Sequence, residues 1–120
     1  MNGKELANFV MEIADDKRAL DIVTLDMRGI SVMSDFFVIC HGNSDRQVQS
    51  IARDIRDSVH KSGINVRRME GFDTARWVLI DLGDVIVHVF HKDDREYYQL
   101  EKLWGDAPRE AFEGESNLNV

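Results

Sequence analysis

The chain has 120 residues, which is the size of one domain and too small for two. Hydrophobic residues make up 43% of the chain and charged residues 31%, as in ordinary globular proteins, so a disordered or collagen-like chain is excluded. The formal net charge of −7 argues against an extended basic surface for nucleic acid, and we therefore expect little direct nucleic-acid contact.

The first predicted elements are one helix and two strands. Asn2 followed three positions later by Glu5 is typical of a helix N-terminus, and apolar residues then recur at helical spacing, which predicts a helix over residues 2–18. Strands are predicted over residues 20–25 and 36–40. The second of these strands is apolar throughout, which indicates that both of its faces are covered.

A second helix is predicted to begin at Ser44, because this potential cap residue stands three positions before Gln47. Apolar residues form one stripe along the following segment, and Gly63 is a typical stop signal. Residues 65–69 follow as a short strand, polar enough to lie at an edge of the sheet.

Residues 77–82 and 85–90 form a predicted β-hairpin, because Gly83-Asp84 between them suits a two-residue turn. On the first strand, Trp77 and Asp81 share one face, and the other face is uniformly apolar. That apolar face consists of Val78, Ile80 and Leu82. We expect it to pack on the core, so Trp77 and Asp81 would point outward. A second interpretation stays open, in which the third helix covers Trp77.

A third helix is predicted over residues 94–104, after Asp93 and Glu96 as another pair of start signals. Its Tyr97, Leu100 and Trp104 are spaced to face the core. Gly105 and Pro108 then end it.

The predicted element order is αββαβββα, an α+β fold in a single domain. The passage from the strand at 36–40 through the second helix requires a parallel crossover, whereas the hairpin is antiparallel. The prediction is therefore a mixed five-stranded sheet with three helices. Residues 1–107 form the domain in this prediction, and residues 108–120 form a flexible acidic tail.

The turn Gly42-Asn43-Ser44 between a buried strand and a helix suggests an enzyme. Nucleotidyltransferases have this outline: a strand, a Gly-x-Ser turn and a helix, followed by an acidic strand. They bind catalytic magnesium through two carboxylates on one strand face. Asp81 and Asp84 are three residues apart across a turn and do not share a strand face. We therefore expect no catalytic residues and no cofactor, with a nucleotide-binding enzyme or nucleotidyltransferase as the alternative.

The histidines and the cysteine do not predict a metal site. His88 and His91 are three apart on a strand, which places them on opposite faces. Cys40 is the only cysteine, so a disulfide within the chain is excluded and a reducing compartment is expected. Without a signal-peptide pattern or a long apolar run, we expect a cytoplasmic protein with no membrane contact.

Charge is unevenly distributed along the chain. Residues 77–120 contain ten acidic and four basic residues, a net charge of −6. Such a surface is either merely solvated or complementary to a basic partner. An exposed tryptophan beside carboxylates is typical of a protein interface, which makes a protein the expected partner.

Five stretches of the sequence, in order, resemble the Iojap family of ribosomal silencing factors, the RsfS type. They are Ser34 to Ile39, Gly42 to Val48, Glu70-Gly71, Trp77 to Phe90 and Arg95 to Trp104. The resemblance covers about residues 4–106. One departure is Leu82, where the family would be expected to have an aromatic residue, usually tyrosine.

The resemblance implies a nucleotidyltransferase-like fold without the enzyme's active site. It also implies binding to the large ribosomal subunit through its ribosomal protein number fourteen, a steric block of subunit joining, repression of translation, and self-association into a homodimer. A generic protein-interaction domain remains as a further alternative. The residues we assign to partner binding are Glu70, Gly71, Trp77, Asp81, Leu82, Gly83, Asp84 and Tyr98.

Overall fold

The computed structural model describes residues 1–113. Its elements, in chain order, are α1 (Gly3–Asp16), β1 (Leu20–Asp26), β2 (Phe36–Gly42), α2 (Asp45–Lys61), β3 (Arg68–Glu70), β4 (Trp77–Asp81), β5 (Val85–His91), α3 (Lys92–Tyr98), α4 (Leu100–Leu103) and β6 (Arg109–Ala111). The α+β class is confirmed. None of the helices in this part of the chain is long and apolar enough to cross a membrane.

The strands form one mixed sheet in the order β3-β4-β5-β2-β1-β6. Strands β2 and β5 pair in parallel, and the other neighbours pair antiparallel. The predicted mixture of directions is therefore confirmed. After β2 and α2 the chain returns as β3, which runs parallel to β2. Strand β3 lies at the edge of the sheet, however, with β4 and β5 between it and β2.

The sheet has six strands and not the predicted five. Residues 109–111, which we expected to belong to a flexible tail, pair antiparallel with β1, so that Val23 lies opposite Ala111 and Leu25 opposite Arg109. All three residues of β6 are exposed, and their sequence shows no alternation of apolar and polar residues that would predict a strand. The strand forms because the free edge of β1 offers hydrogen-bonding partners. The rest of the predicted tail, residues 114–120, lies outside the described residues.

The helix starts follow the predicted caps in two cases out of three. Asn2 and Glu5 form the capping box of α1, and the Ser44 hydroxyl accepts a hydrogen bond of 3.1 Å from the Gln47 amide at the start of α2. The third predicted helix begins after His91 instead of Asp93 and is interrupted at Gln99, whose φ is +47°. This left-handed residue divides it into α3 and α4.

Each face of the sheet carries its own apolar cluster. Helices α1 and α2 cover the first face, where Val78 and Ile80 of β4 are fully buried, which confirms the predicted core side of that strand. The second face carries a smaller cluster. Its buried members are Leu25, Met27, Phe37, Ile39, Ile86, Phe90, Leu100 and Ala107, and Trp77, Leu79 and Trp104 pack against them half-buried.

Candidate functional site

The candidate site lies on the second face of β4. Trp77, Leu79 and Asp81 point to this face, and the residues opposite them on β5 are Phe90, His88 and Ile86. Because residues paired across antiparallel strands share a face, these six side chains form one surface layer of the hairpin. Helix α3 packs on β5, and the three side chains of β4 on this face stay half-buried.

Trp77 is half-buried, so the prediction that it points freely outward is wrong in part. Its ring centroid lies 4.9 Å from that of Phe90 and 4.9 Å from that of Tyr98 on α3. Its indole nitrogen donates a hydrogen bond of 3.1 Å to Nδ1 of His88. The alternation of β4 gave the correct face, but a second apolar cluster exists on that face, and α3 packs over part of it.

The exposed part of this region is aromatic. Tyr98 is 48% exposed and Tyr97 is 81% exposed, so the prediction that Tyr97 faces the core is wrong; the two rings meet edge to face at 5.0 Å. We call Trp77, Tyr97 and Tyr98 the aromatic patch. Large aromatic side chains at a surface, held by packing from below, are the residues that contribute most to the affinity of protein interfaces.

Two of the predicted carboxylates border the open part of this face. Glu70 of β3 is exposed and lies opposite Leu79, and Asp81 lies at the far end of β4, about 13 Å along the strand from Trp77. Arg68 contacts both, at 3.2 Å from Glu70 and 3.4 Å from Asp81. Arg68 thus bridges the two carboxylates, and the Arg67 guanidinium lies beside Gly83 at the hairpin tip, so this border carries charges of both signs.

Two glycines set the backbone of this surface. Gly71 has a φ of +79°, and a Cβ atom there would lie 2.2 Å from the carbonyl oxygen of Trp77. Gly71 therefore allows the chain after β3 to pass directly against the first residue of β4. Gly83 has a φ of +91°, and this positive value confirms the turn conformation predicted for the hairpin.

The structure separates Leu82 and Asp84 from the other predicted site residues. Leu82 is only 6% exposed and belongs to the cluster on the first face, so its side chain is part of the core. Asp84 is exposed at the hairpin tip, and its carbonyl oxygen accepts hydrogen bonds from the Ser34 hydroxyl at 2.9 Å and the Phe36 amide at 3.0 Å. The aromatic patch, Glu70 and Asp81 thus remain as the coherent surface.

His88 belongs to this region, although the sequence analysis did not assign it. Burial lowers the pKa of its imidazole to about 4, so the ring is neutral near neutral pH. The sequence did contain the signal, because a two-residue turn at Gly83-Asp84 fixes the hairpin register and places His88 opposite Leu79 and Phe90 opposite Trp77. The register would have shown that these side chains lie together.

The enzyme-like turn lies at the other end of the sheet. Strand β2 starts opposite Val85 of β5 and ends at Gly42 opposite His91, whereas Asp81 pairs with Ile86, near the start of β5. The Gly42-Asn43-Ser44 turn and Asp81 are therefore separated by about five residues of strand, roughly 16 Å.

The carboxylates near this turn surround a cation of the protein itself. Arg76 contacts Asp94 at 2.6 Å, Asp45 at 3.9 Å and Asp93 at 4.0 Å. Within residues 1–113, no three His, Cys, Asp or Glu side chains are grouped to hold a metal ion. The geometry here is that of a surface ion-pair network.

Comparison with known proteins identifies the family. The family model described as "Ribosomal silencing factor during starvation" matches residues 1–119. The chain belongs to this RsfS family. Ribosomal silencing factor RsfS of Bacillus subtilis is 65% identical over 108 residues, which cover 90% of this chain and 92% of that protein. RsfS of Halalkalibacterium halodurans is 56% identical over 114 residues, covering 95% and 97%.

Other relatives support the resemblance seen in the sequence. The chloroplastic protein Iojap of Zea mays is 33% identical over 94 residues, covering 78% of this chain and 41% of that protein. A crystal structure from Bacillus halodurans, 53% identical, superposes with a TM-score of 0.81 over 91% of this chain and 99% of that chain. An X-ray structure from Chromobacterium violaceum, 32% identical, gives 0.85 over 88% of both chains. The predicted Iojap and RsfS membership is confirmed.

Proposed function

We propose that this protein binds the large ribosomal subunit through its ribosomal protein number fourteen and sterically prevents the small subunit from joining. The observation that carries the proposal is the family match over residues 1–119, with relatives of 65% and 56% identity that are named ribosomal silencing factors. Repression of translation is the consequence. Steric exclusion requires a rigid body with affinity for the correct location, and it requires no catalytic group.

The aromatic patch, with Glu70 and Asp81 beside it, is the proposed contact surface. Aromatic side chains supply apolar contact area, and the carboxylates select a partner with basic groups. The net charge of −6 in residues 77–120 would accelerate encounter with such a partner at low salt. A basic ribosomal protein fits this chemistry better than nucleic acid does, because RNA phosphates would be repelled.

The alternative of a nucleotide-binding enzyme has no support from the geometry, since Asp81 and the Gly-x-Ser turn lie at opposite ends of the sheet. We therefore propose that the protein is not an enzyme. Calorimetric titration with ATP and magnesium should give no micromolar binding. A micromolar dissociation constant would favour the alternative.

Sedimentation with separated ribosomal subunits tests the proposal. The protein should migrate with the large subunit and not with the small one, and Tyr98→Ala should weaken this binding, because Tyr98 is half-exposed on the aromatic patch. Val32→Ala is the matched control, since Val32 is fully exposed in the loop between β1 and β2. Migration with the small subunit, or equal binding of both variants, would contradict the proposal.

A photo-crosslinking residue at position 97 identifies the partner protein. Tyr97 is 81% exposed at the border of the aromatic patch, so a crosslinking side chain there reaches outward without disturbing the core. The expected product joins this chain to ribosomal protein number fourteen. Crosslinks to other ribosomal proteins alone would place the contact surface elsewhere.

Three further points belong to the same proposal. We place the activity in the cytoplasm and assign it to the domain predicted over residues 1–107, together with β6. Self-association into a homodimer is compatible with the proposed activity, and sedimentation velocity at increasing protein concentration would detect such a dimer. If dimerisation used the aromatic patch, addition of large subunits would dissociate the dimer.

A further inference from the structure

The hydrogen bond between Trp77 and His88 ties the central tryptophan of the candidate site to a buried histidine. The indole N–H donates to Nδ1 of His88 at 3.1 Å. An imidazole nitrogen that accepts a hydrogen bond is unprotonated, so the ring proton of this neutral histidine is on Nε2. The hydrogen bond therefore determines which tautomer is present.

The other nitrogen of this ring has no hydrogen-bond partner. Nε2 of His88 is buried and unpaired within the described part of the chain, and the residue is only 4% exposed. A buried donor without a partner destabilises the folded state, and such groups are rare in proteins. An apolar residue would fill this place among Phe37, Trp77 and Phe90 without this unpaired donor, but the indole N–H of Trp77 would then lose its acceptor.

Aromatic contacts fix the imidazole in place. Phe37 meets it edge to face at 4.8 Å, and Phe90 lies nearly parallel to it at 6.4 Å. Trp77 in turn contacts both Phe90 and Tyr98, with 4.9 Å between ring centroids in each pair, and these two rings lie 6.4 Å from each other. The hydrogen bond to His88 adds a directional contact that selects one orientation of the indole ring.

We propose that His88 is a positioning residue for partner binding, which fixes the Trp77 ring in the orientation that supports Tyr98 at the surface. This inference rests on the proposed function, because it assigns His88 to the aromatic patch. His88 does not touch the partner, since its ring is buried beneath that patch. Its Nδ1 thus holds the indole ring, while its Nε2 stays buried without a partner in the described part of the chain.

Two substitutions separate this role from ordinary packing. His88→Leu fills the space but offers no acceptor, whereas His88→Asn places an amide oxygen near the position of Nδ1 and restores the acceptor. His60→Leu is the control, because His60 is exposed on α2, on the opposite side of the sheet. A purely structural histidine would be replaced at least as well by leucine as by asparagine.

We expect His88→Leu to melt close to the wild type, because it removes the unpaired Nε2–H of His88 but leaves the indole N–H of Trp77 without an acceptor, and to bind the large subunit about five- to tenfold more weakly. His88→Asn should bind within about twofold of the wild type. In NMR spectra, the indole N–H of Trp77 should exchange with solvent faster in His88→Leu, and that of Trp104 should not. The two tryptophan signals are assigned with Trp104→Phe.

Each other result contradicts the inference. Equal affinity of His88→Leu and the wild type, or equal loss in the Leu and Asn variants, would leave His88 with a packing role only. If His88→Leu does not fold, the smaller His88→Val decides instead: it also removes the acceptor, should weaken binding five- to tenfold, and overturns the inference if it binds like the wild type. If the wild type does not bind large subunits, the proposed function fails, whereas the indole exchange rate still tests the positioning.

Discussion

Replacing Trp77 by alanine should weaken the fold measurably without unfolding it. Fully buried aromatic residues cost about 3 to 5 kcal/mol when truncated. Trp77 is half-buried, so about half of that is expected, and His88 loses its one hydrogen-bond donor, which adds about 1 kcal/mol. The free energy of unfolding should fall by about 3 kcal/mol, which is less than the total of about 5 to 15 kcal/mol typical of such domains.

Urea unfolding followed by circular dichroism measures this change. Val32→Ala is the control and should remain within about 0.5 kcal/mol of the wild type, because its side chain is fully exposed. A change below 0.5 kcal/mol for Trp77→Ala would show that the ring does not pack against Phe90 and Tyr98. A protein already unfolded without urea would show that Trp77 belongs to the main core.

Three other substitutions or conditions test separate parts of the structure. Gly71→Ala should lower the free energy of unfolding in urea by about 2 kcal/mol or more, because φ at this position is +79° and the new Cβ atom would meet the Trp77 carbonyl oxygen. An unchanged unfolding midpoint would refute the close approach. The pKa of His88 is about 4 in the folded state and 6.5 in the unfolded state, so the unfolded chain binds this proton more readily. The free energy of unfolding should therefore be unaffected by His88 titration above pH 6.5 and should fall by up to about 3 kcal/mol as the pH decreases to 4. His88→Asn should therefore lose less stability than the wild type across this window, and parallel pH curves would be the contradicting result. Ser44→Ala should cost about 1 kcal/mol through the lost bond to Gln47 and leave ribosome binding unchanged; weaker binding by the folded variant would place that turn in the interface.

Local signals in the sequence predicted most of the elements. The Asn2 and Ser44 caps, the apolar stripe of α2 and the turn at Gly83 each depend on a few neighbouring residues, so propensity and spacing were sufficient. The same holds for the faces of β4, since alternation alone identified Val78 and Ile80 as core residues. These parts of the fold do not depend on distant contacts.

The elements that were wrong depend on contacts between distant parts of the chain. Strand β6 has three exposed residues and exists because β1 offers a free edge. The break at Gln99 requires a left-handed conformation that is unusual for a residue other than glycine, and no helix pattern predicts it. The cover over Trp77 comes from Tyr98, which the strand pattern cannot place.

The candidate site was predicted only in part for the same reason. The strand pattern correctly put Trp77 and Asp81 on one face, and the family resemblance added Glu70 and Tyr98. Leu82 was assigned to the partner surface although alternation already placed it on the core face, and the structure buries it. Strand alternation alone does not predict the place of His88, because it depends on the register that the short turn imposes between β4 and β5.

Subunit joining tests the central proposal most directly. Light scattering follows the association of small and large subunits after the large subunit has been incubated with the protein. The wild type should suppress joining, and Trp77→Ala should fail to do so at the same concentration, because truncating an interface tryptophan costs about 2 to 4 kcal/mol of affinity, about thirty-fold to a thousand-fold in dissociation constant. Joining that proceeds normally with the wild type, or that a folded Trp77→Ala protein still blocks, would contradict the account.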